Sequence, residues 1–207
     1  MKINNHLDKR IFDFVFGVLL LTLLLPVFAI ISLLILYYDR CPIFYSSERM
    51  RGLDQSFKLW KFRTMTPDCN DDGASGGHKY GRITKVGLVL RKFRLDELPQ
   101  LVNIIFGDMS FVGARPPLRK YVEQFPNVYL KVLTSKPGVT GLASLYFHKR
   151  EDYLLKNTKN KEENEFVYCQ RCIPTKAKLD QIYNNNSSIC YDIFIIFLTV
   201  RKIFFKD

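Results

Sequence analysis

Two adjacent carboxylates, Asp96 and Glu97, follow a cluster of three cations in the sequence. The cations are Arg91, Lys92 and Arg94, and all of them lie within the six residues before Glu97. Positively charged groups beside a carboxylate make a place where an anionic substrate such as a phosphate can bind. The same arrangement also fits a capped helix N-terminus that carries out no reaction, so the pair alone leaves both interpretations open.

The residues after this carboxylate pair predict the helix that must position it. An apolar run at residues 101–106 follows Pro99. Proline is tolerated in the first turn of a helix, because the N–H group that it lacks would have no partner there. We therefore expect Asp96 to be the N-cap, Glu97 the first helical residue and Gly107 the residue just past the end. Such a helix would bring its N-terminal N–H groups to a bound anion.

A second group of cations lies on a predicted β-strand. Residues 57–65 read FKLWKFRTM and alternate between apolar and basic side chains, which is the period of a strand. Strict alternation places Lys61 and Arg63 on the same face. Two cations held on a rigid strand would suit a diphosphate, and a solvated strand face fits the pattern equally well.

The uncharged stretch at residues 14–38 predicts a membrane helix. At ~1.5 Å per residue it is long enough for a bilayer core of ~30 Å. Its length disfavours a cleavable signal peptide and a buried core helix. Pro26 lies at its centre, and cations such as Arg10 and Arg40 flank both ends. These features favour a helix-break-helix that enters one leaflet and returns, with a kinked spanning helix as the alternative.

The composition favours an anionic partner and a reducing compartment. The 207 residues include 31 Lys and Arg against 20 Asp and Glu, which gives a net charge of +11. Such a balance suits nucleic acid, anionic lipid or a phosphorylated substrate. The five cysteines are irregularly spaced and predict no disulfide framework. The single CxxC motif at residues 169–172 lacks the further ligands of a zinc site.

The remaining segments predict the outline of one compact domain. The polar, glycine-rich residues 67–82 predict a loop that matches neither a phosphate-binding loop nor a calcium-binding loop. Residues 121–133 predict helix with a break at Pro126, and the apolar residues 142–147 predict a short strand. The charged residues 149–165 predict a solvated helix.

Five segments, taken in chain order, resemble the small monotopic phosphoglycosyl transferases. These are bacterial sugar transferases that start glycan assembly on polyprenol phosphate. The segments are KRIFD at residues 9–13, KFRTM at 61–65, RLDELPQ at 94–100, GDMSFVGARP at 107–116 and PGVTG at 137–141. The resemblance covers nearly the whole chain, and five motifs in order are far more specific than any one of them.

The resemblance implies an α/β, mostly helical fold. Residues 1–40 would form a Pro-broken re-entrant membrane helix with its N-terminal flank, and residues 41–207 a compact cytosolic catalytic domain. The residues themselves predict a C-terminal helix at about residues 188–205, apolar and aromatic with cations at its end, that lies in the membrane interface as an amphipathic element, with a core helix as the alternative. The protein would be monotopic in the cytoplasmic leaflet of the bacterial inner membrane.

The resemblance also implies the reaction. The family moves a sugar 1-phosphate from a UDP-sugar to undecaprenyl phosphate and releases UMP, as the first membrane step of O-antigen, capsule, exopolysaccharide or glycoprotein biosynthesis. Asp96 would attack the β-phosphorus and form a covalent aspartyl-phosphosugar, and Glu97 would help to hold Mg²⁺. The residue chemistry agrees, because a carboxylate nucleophile divides one displacement into two, and cations neutralise the diphosphate. Downstream glycosyltransferases would be further partners.

Other basic residues gain roles by the same resemblance. Arg91 matches a family arginine linked to polyprenol phosphate, and Arg115 with Pro116 matches an Arg-Pro pair near the nucleotide site. Lys61 and Arg63 would support the phosphates or the structure around them.

The sequence also departs from the family pattern. Ala114 stands where the family usually has proline, which would loosen the turn before Arg115. After Gly141 the usual arginine has no secure counterpart, and Arg150 is the candidate replacement as a substrate-binding residue.

A protein of another class remains as the alternative to the transferase. A membrane-tethered basic module that binds nucleic acid or anionic lipid would explain the charge and the anchor. Such a module would not need the Asp-Glu pair or the ordered motifs. Because this sequence has both, we expect an enzyme with no nucleic acid partner.

Overall fold

The structure, a computed structural model, describes residues 5–66 and 81–204. The helices are α1 (Asn5–Asp39), α2 (Lys85–Lys92), α3 (Gln100–Phe106), α4 (Arg119–Gln124), α5 (Pro126–Val132), α6 (Leu142–Lys156), α7 (Lys161–Val167), α8 (Ile173–Asn186) and α9 (Ile189–Phe204). The strands are β1 (Phe44–Met50), β2 (Ser56–Phe62), β3 (Ser110–Val112) and β4 (Gly138–Thr140). The prediction of a mostly helical α/β fold is confirmed. Most of the predicted polar loop, residues 67–80, lies outside the described residues.

Strands β1 and β2 form an antiparallel hairpin that carries one wall of the site. The register runs from Phe44 opposite Phe62 to Met50 opposite Ser56. Phe57 and Leu59 of β2 are buried while their neighbours are more exposed, which is the alternation expected of a half-buried strand. The strand predicted around these residues is therefore confirmed.

Strands β3 and β4 form a parallel pair in which the two chains approach very closely. A Cβ atom on Gly138 would lie 2.1 Å from the Gly113 nitrogen, so only glycine fits there. The Gly138 N–H donates to the Ala114 carbonyl at 2.8 Å, and the Gly113 N–H donates to the Thr140 carbonyl at 2.9 Å. These bonds hold the segment before Arg115, where the replacement of proline by Ala114 was expected to loosen the turn.

Helix α1 is apolar and long enough to cross a membrane by length and composition. Only 11% of its apolar stretch is buried inside the protein, so it is not an ordinary core helix. It continues through Pro26 without interruption from Asn5 to Asp39. The predicted break is therefore not confirmed, and re-entry into one leaflet stays a prediction, as does the division of the chain after residue 40.

The first turns of α1 bind the rest of the protein through Lys9. Its ammonium group forms an ion pair with the buried Asp192 of α9 and donates to the Tyr183 hydroxyl at 3.0 Å and the Val112 carbonyl at 3.3 Å. A buried ion pair is favourable only when further hydrogen bonds satisfy both charges, as they do here. One cluster thus joins α1 to β3, α8 and α9.

Arg10 and Arg63 donate hydrogen bonds to the carbonyl groups at the C-terminal ends of two helices. Arg10 donates to the carbonyl oxygens of Ile104 and Ile105 at 2.6 and 2.5 Å, near the C-terminus of α3. Arg63 donates to the carbonyl oxygen of Asp39 and to that of the next residue, both at 2.5 Å. The last carbonyls of a helix have no partner within it and carry partial negative charge, so a guanidinium group stabilises them.

Helix α9 has one buried side and one apolar exposed side. Asp192 and Ile195 are buried, whereas Phe194, Phe197 and Val200 are 52%, 62% and 47% exposed. An exposed apolar face on a helix that ends in cations is typical of a helix at a membrane interface. The interfacial location stays a prediction that this pattern supports.

The strand predicted at residues 142–147 is wrong, because these residues begin α6. Leu142 and Leu145 are buried and Tyr146 is 63% exposed, which is a helical spacing. A short apolar run does not distinguish a strand from a buried helix by its periodicity. The helical break at Pro126 is confirmed as the boundary between α4 and α5.

Candidate active site

The carboxylate pair lies in a 3₁₀ turn at Leu95–Glu97 and not at the start of a helix. The prediction that Asp96 is an N-cap is wrong, because α3 begins only at Gln100, with Pro99 before it. Proline cannot donate a backbone hydrogen bond to an earlier carbonyl. The Leu98 N–H instead donates to the Leu95 carbonyl at 3.2 Å, in the tighter pattern of a 3₁₀ turn.

The predicted end of α3 is confirmed. Gly107 follows the helix in the left-handed conformation, with φ of 87°, and its N–H donates to the Asn103 carbonyl at 3.0 Å.

Arg94, before the carboxylate pair, also has a left-handed φ of 55°. Such a conformation costs a non-glycine residue ~1–2 kcal/mol, and it is kept where the surroundings enforce it.

A cavity of about 720 Å³ opens beside this turn. Seven of the residues predicted for the site line it: Lys61, Arg63, Arg91, Asp96, Glu97, Arg115 and Pro116. They come from β2, α2, the 3₁₀ turn and the segment after β3, so segments far apart in the sequence meet at one cavity.

Glu97 is held by three cations. Its carboxylate lies 3.0 Å from Lys61 Nζ, 3.2 Å from an Arg115 nitrogen and 3.6 Å from an Arg94 nitrogen. Burial alone would raise the pKa of Glu97, but Lys61, then Arg115 and Arg94, outweigh it and lower the pKa well below its usual range. Glu97 in turn raises the pKa of Arg115. The carboxylate is therefore negatively charged and fixed in place.

Asp96 is in a different electrostatic environment although it is the next residue. It is 8% exposed, and Lys61 Nζ lies 4.0 Å from its carboxylate. Burial raises its pKa, Glu97 adds to this effect, and Lys61 opposes it. Within the part of the chain that the structure describes, no side chain donates a hydrogen bond to Asp96, and Lys61 is its ion-pair partner. The carboxylate oxygens of Asp96 therefore have fewer bonding partners than those of Glu97.

Arg91 lies between the cavity and an apolar face of α2. Its Nε donates to Thr64 Oγ1 at 2.9 Å. On the same helix, Leu88 and Val89 are each 55% exposed. The helix lies against Thr64 because Gly87 allows it: a Cβ atom there would be 2.3 Å from the Thr64 carbonyl oxygen. An anion bound to Arg91 would therefore adjoin a surface suited to lipid.

Two residues that were predicted to bind substrate, Arg63 and Arg150, do not present a free charge to the cavity. Arg63 lines the cavity, but its guanidinium group binds the C-terminal carbonyls of α1, which is structural support. Arg150 is exposed on α6 and does not line the cavity, because another face of that helix is turned towards it. Its substrate-binding role stays a prediction that this placement does not support.

Sequence reasoning missed the residues that form the rest of the cavity wall. On α6 they include Ser144, His148, Glu151 and Asp152, whose spacing would have marked one helical face had the segment been predicted as helix. Burial lowers the pKa of His148, although the nearby Asp152 opposes this effect.

A second part of the wall comes from β1, α4, α5, α8 and the residue that follows α7. Tyr121, Tyr129 and Tyr168 line it together with Asp180 and Arg49. Burial raises the pKa of Asp180 to about 7. No spacing in the sequence could have linked these residues, because their proximity depends entirely on tertiary packing.

The carboxylate pair is compatible with Mg²⁺. Mg²⁺ is commonly bound through one or two protein carboxylates together with substrate phosphates. Asp96 and Glu97 provide two such groups, one of them firmly charged. The described residues contain no cluster of three or more metal-ligating side chains, so phosphates would have to complete the coordination.

Comparison with known proteins agrees with the resemblance noted in the sequence. The model of the bacterial sugar transferase family matches residues 4–206. The UDP-glucose:undecaprenyl-phosphate glucose-1-phosphate transferase of Klebsiella pneumoniae is 36% identical over 203 residues, which cover 96% of this chain and 40% of that protein. The exopolysaccharide production protein ExoY of Rhizobium meliloti (strain 1021) is 33% identical over 211 residues, which cover 94% of this chain and 84% of ExoY.

A third relative differs in the sugar that its name specifies. The UDP-N-acetylgalactosamine-undecaprenyl-phosphate N-acetylgalactosaminephosphotransferase of Aeromonas hydrophila is 31% identical over 199 residues, or 94% of this chain and 43% of that protein. The chain thus spans less than half of two of these relatives and most of ExoY. With a family match over nearly its whole length, the chain belongs to the bacterial sugar transferase family.

Proposed function

We propose that this enzyme transfers a sugar 1-phosphate from a UDP-sugar to undecaprenyl phosphate and releases UMP. One observation carries the proposal: a buried aspartate with a raised pKa adjoins a glutamate that three cations hold charged. The relatives from Klebsiella pneumoniae and Aeromonas hydrophila, by their names, act on undecaprenyl phosphate and UDP-sugars. The family match favours a transferase over a membrane-tethered module that binds nucleic acid or anionic lipid.

In the first step, an oxygen of Asp96 attacks the β-phosphorus of the UDP-sugar. The bond from that phosphorus to the bridging oxygen breaks, and the bridging oxygen leaves with the electron pair as part of UMP. Lys61 and Arg115 lie on the same side of the cavity as the carboxylate pair and neutralise charge on the phosphates. The product on the protein is an aspartyl-phosphosugar.

In the second step, a phosphate oxygen of undecaprenyl phosphate attacks the same phosphorus. The bond to Asp96 breaks, and the carboxylate is regenerated. Arg91 binds the incoming phosphate while the polyprenyl chain lies along the exposed apolar face of α2.

Mg²⁺ belongs to this proposal as the cofactor. Asp96 and Glu97 would hold it, and when bound it would supply positive charge for the diphosphate of the donor. The permanent negative charge on Glu97 makes this residue the better of the two ligands, because Asp96 must be free to attack.

We also propose that α1 enters and leaves the membrane from the cytoplasmic side. Its N-terminal end is tied to the catalytic domain by Lys9, and its C-terminal end by Arg63, which binds the Asp39 carbonyl. Ile31 and Ile35 pack in a core cluster with Phe62. A helix with both ends on one water-facing domain cannot place those ends on opposite sides of a bilayer.

Changing Asp96 to Asn should abolish the first step. Because Asn is a poor nucleophile, we expect UMP release to fall by at least ~10³-fold and the covalent adduct to disappear. Intact-mass spectrometry after incubation with a UDP-sugar and Mg²⁺ checks this directly. Asp54→Asn, at an exposed turn, is the matched control and should form the adduct normally. An Asp96→Asn protein that turns over would rule out the nucleophile assignment.

Changing Arg91 to Ala should affect the acceptor more than the donor. We expect acceptor-dependent UMP release to fall about tenfold or more, the typical value of a charge-assisted contact, while adduct formation from the donor alone is retained. Lys92→Ala, the neighbouring exposed cation, is the control. Equal losses in both half-reactions would contradict the role given to Arg91.

The topology can be tested by labelling cysteines. Native Cys41, exposed just after α1, and an introduced Asp8→Cys should react with a membrane-impermeant maleimide from the same side, in a background that lacks the other cysteines. Glu123→Cys on the catalytic domain marks the cytoplasmic side. We expect all three positions to react only in inside-out vesicles. Reaction of positions 8 and 41 from opposite sides would mean that α1 spans the bilayer.

A further inference from the structure

Arg49, at the end of β1, is a cation without a partner inside the cavity. Its Nε is fully buried and makes no hydrogen bond. Within residues 5–66 and 81–204, its guanidinium group forms neither a hydrogen bond nor an ion pair. Burial and then repulsion from Arg115 lower the pKa of Arg49. The adjacent Glu48 is on the opposite face of the strand, where Arg119 binds it at 2.6 Å.

Most other cations around the cavity bind groups of the protein. Lys61 and Arg115 bind Glu97, and Lys176 binds Glu151 at 2.9 Å. Lys156 also lines the cavity and forms no ion pair with the described residues, but it is exposed to solvent. A half-buried charge with no partner costs free energy, and a protein keeps it where an outside ligand supplies the opposite charge. Arg49 is therefore a half-buried cation of this cavity that is ready to receive an anion.

The position of Arg49 indicates which anion this is. Lys61 lies 4.0 Å from Asp96, whereas Arg49 and Arg115 line a small second cavity together. Arg49 is also near the phenol groups of three tyrosines that line the main cavity, Tyr45, Tyr168 and Tyr121. The rings of Tyr121 and Tyr168 are 4.9 Å apart. Arg49 and Arg115 line the main cavity together as well, next to an aromatic part of its wall.

We propose that Arg49 binds the phosphate of the leaving nucleotide, which is the α-phosphate of the UDP-sugar and later the phosphate of UMP. This rests on the proposed function. In an in-line displacement, the leaving oxygen lies on the far side of the β-phosphorus from Asp96. The electron pair of the broken bond ends on that oxygen, where Arg49 and Arg115 together neutralise it. The nucleoside then lies towards Tyr168, which is more exposed than the buried Tyr121 and whose ring a base can contact.

The test compares equilibrium binding of UMP and of uridine to the full-length protein in lipid nanodiscs. For Arg49→Met we expect the dissociation constant for UMP to rise about tenfold or more, because a charge-assisted contact is lost. Uridine binding should be unchanged, because it has no phosphate. Arg49→Lys should keep part of the UMP affinity, since it keeps the charge but not the planar fork. Arg51→Met removes an exposed neighbouring arginine that pairs with Asp108, and should bind UMP normally.

A thermal unfolding measurement separates ligand binding from a structural role. Because Arg49 has no partner, the ligand-free Arg49→Met protein should melt at the same temperature as the wild type or higher. A lower melting temperature together with equal losses of UMP and uridine binding would overturn the proposal, and so would unchanged UMP affinity. If one of these two results is found while the wild-type protein still releases UMP from a UDP-sugar, the proposed function stands and only the role of Arg49 fails. A wild type that neither binds nor releases UMP would contradict both.

Discussion

The attraction between one buried carboxylate and three cations is the interaction on which this site depends. Lys61, Arg94 and Arg115 reach Glu97 from a strand, a tight turn and the segment after another strand. A buried charge that loses its partners costs several kcal/mol, so this cluster is stable only when all three segments are in place. The same cluster determines the environment of Asp96, because Lys61 is used mainly by Glu97 and Asp96 keeps a raised pKa.

Helix α1 is tied into the same arrangement of charges. Lys9 joins it to α9, Arg10 closes the end of α3, and Arg63 closes the end of α1 itself. Arg63 follows directly on β2, the strand that carries Lys61. The position of α1 and the position of a cation in the site are therefore linked through one short strand. Under the proposed function, this link would let the proposed anchor and the catalytic residues act as one unit on a lipid substrate.

Several features of the fold could be predicted from the sequence because they depend on local rules. The alternation around Lys61 gave a strand, Gly107 ended a helix, and Pro126 separated two others. Two predictions from local rules were wrong. The apolar residues after Gly141 form a helix, which their short apolar run did not distinguish from a strand. Asp96 lies in a turn, because hydrogen bonding before Pro99 follows the shorter 3₁₀ pattern. Nothing in the sequence indicated a role for Arg49, because its lack of a bonding partner is visible only in the folded protein.

The central claim is that the carboxylate pair transfers a sugar phosphate to a polyprenol phosphate. The most direct measurement is UMP release by the purified wild-type protein, over a panel of UDP-sugars, with undecaprenyl phosphate and Mg²⁺. We expect sustained release with at least one UDP-sugar, and strong dependence of that release on undecaprenyl phosphate. No release over the whole panel, from a folded protein that instead binds DNA with a steep dependence on salt concentration, would contradict the account.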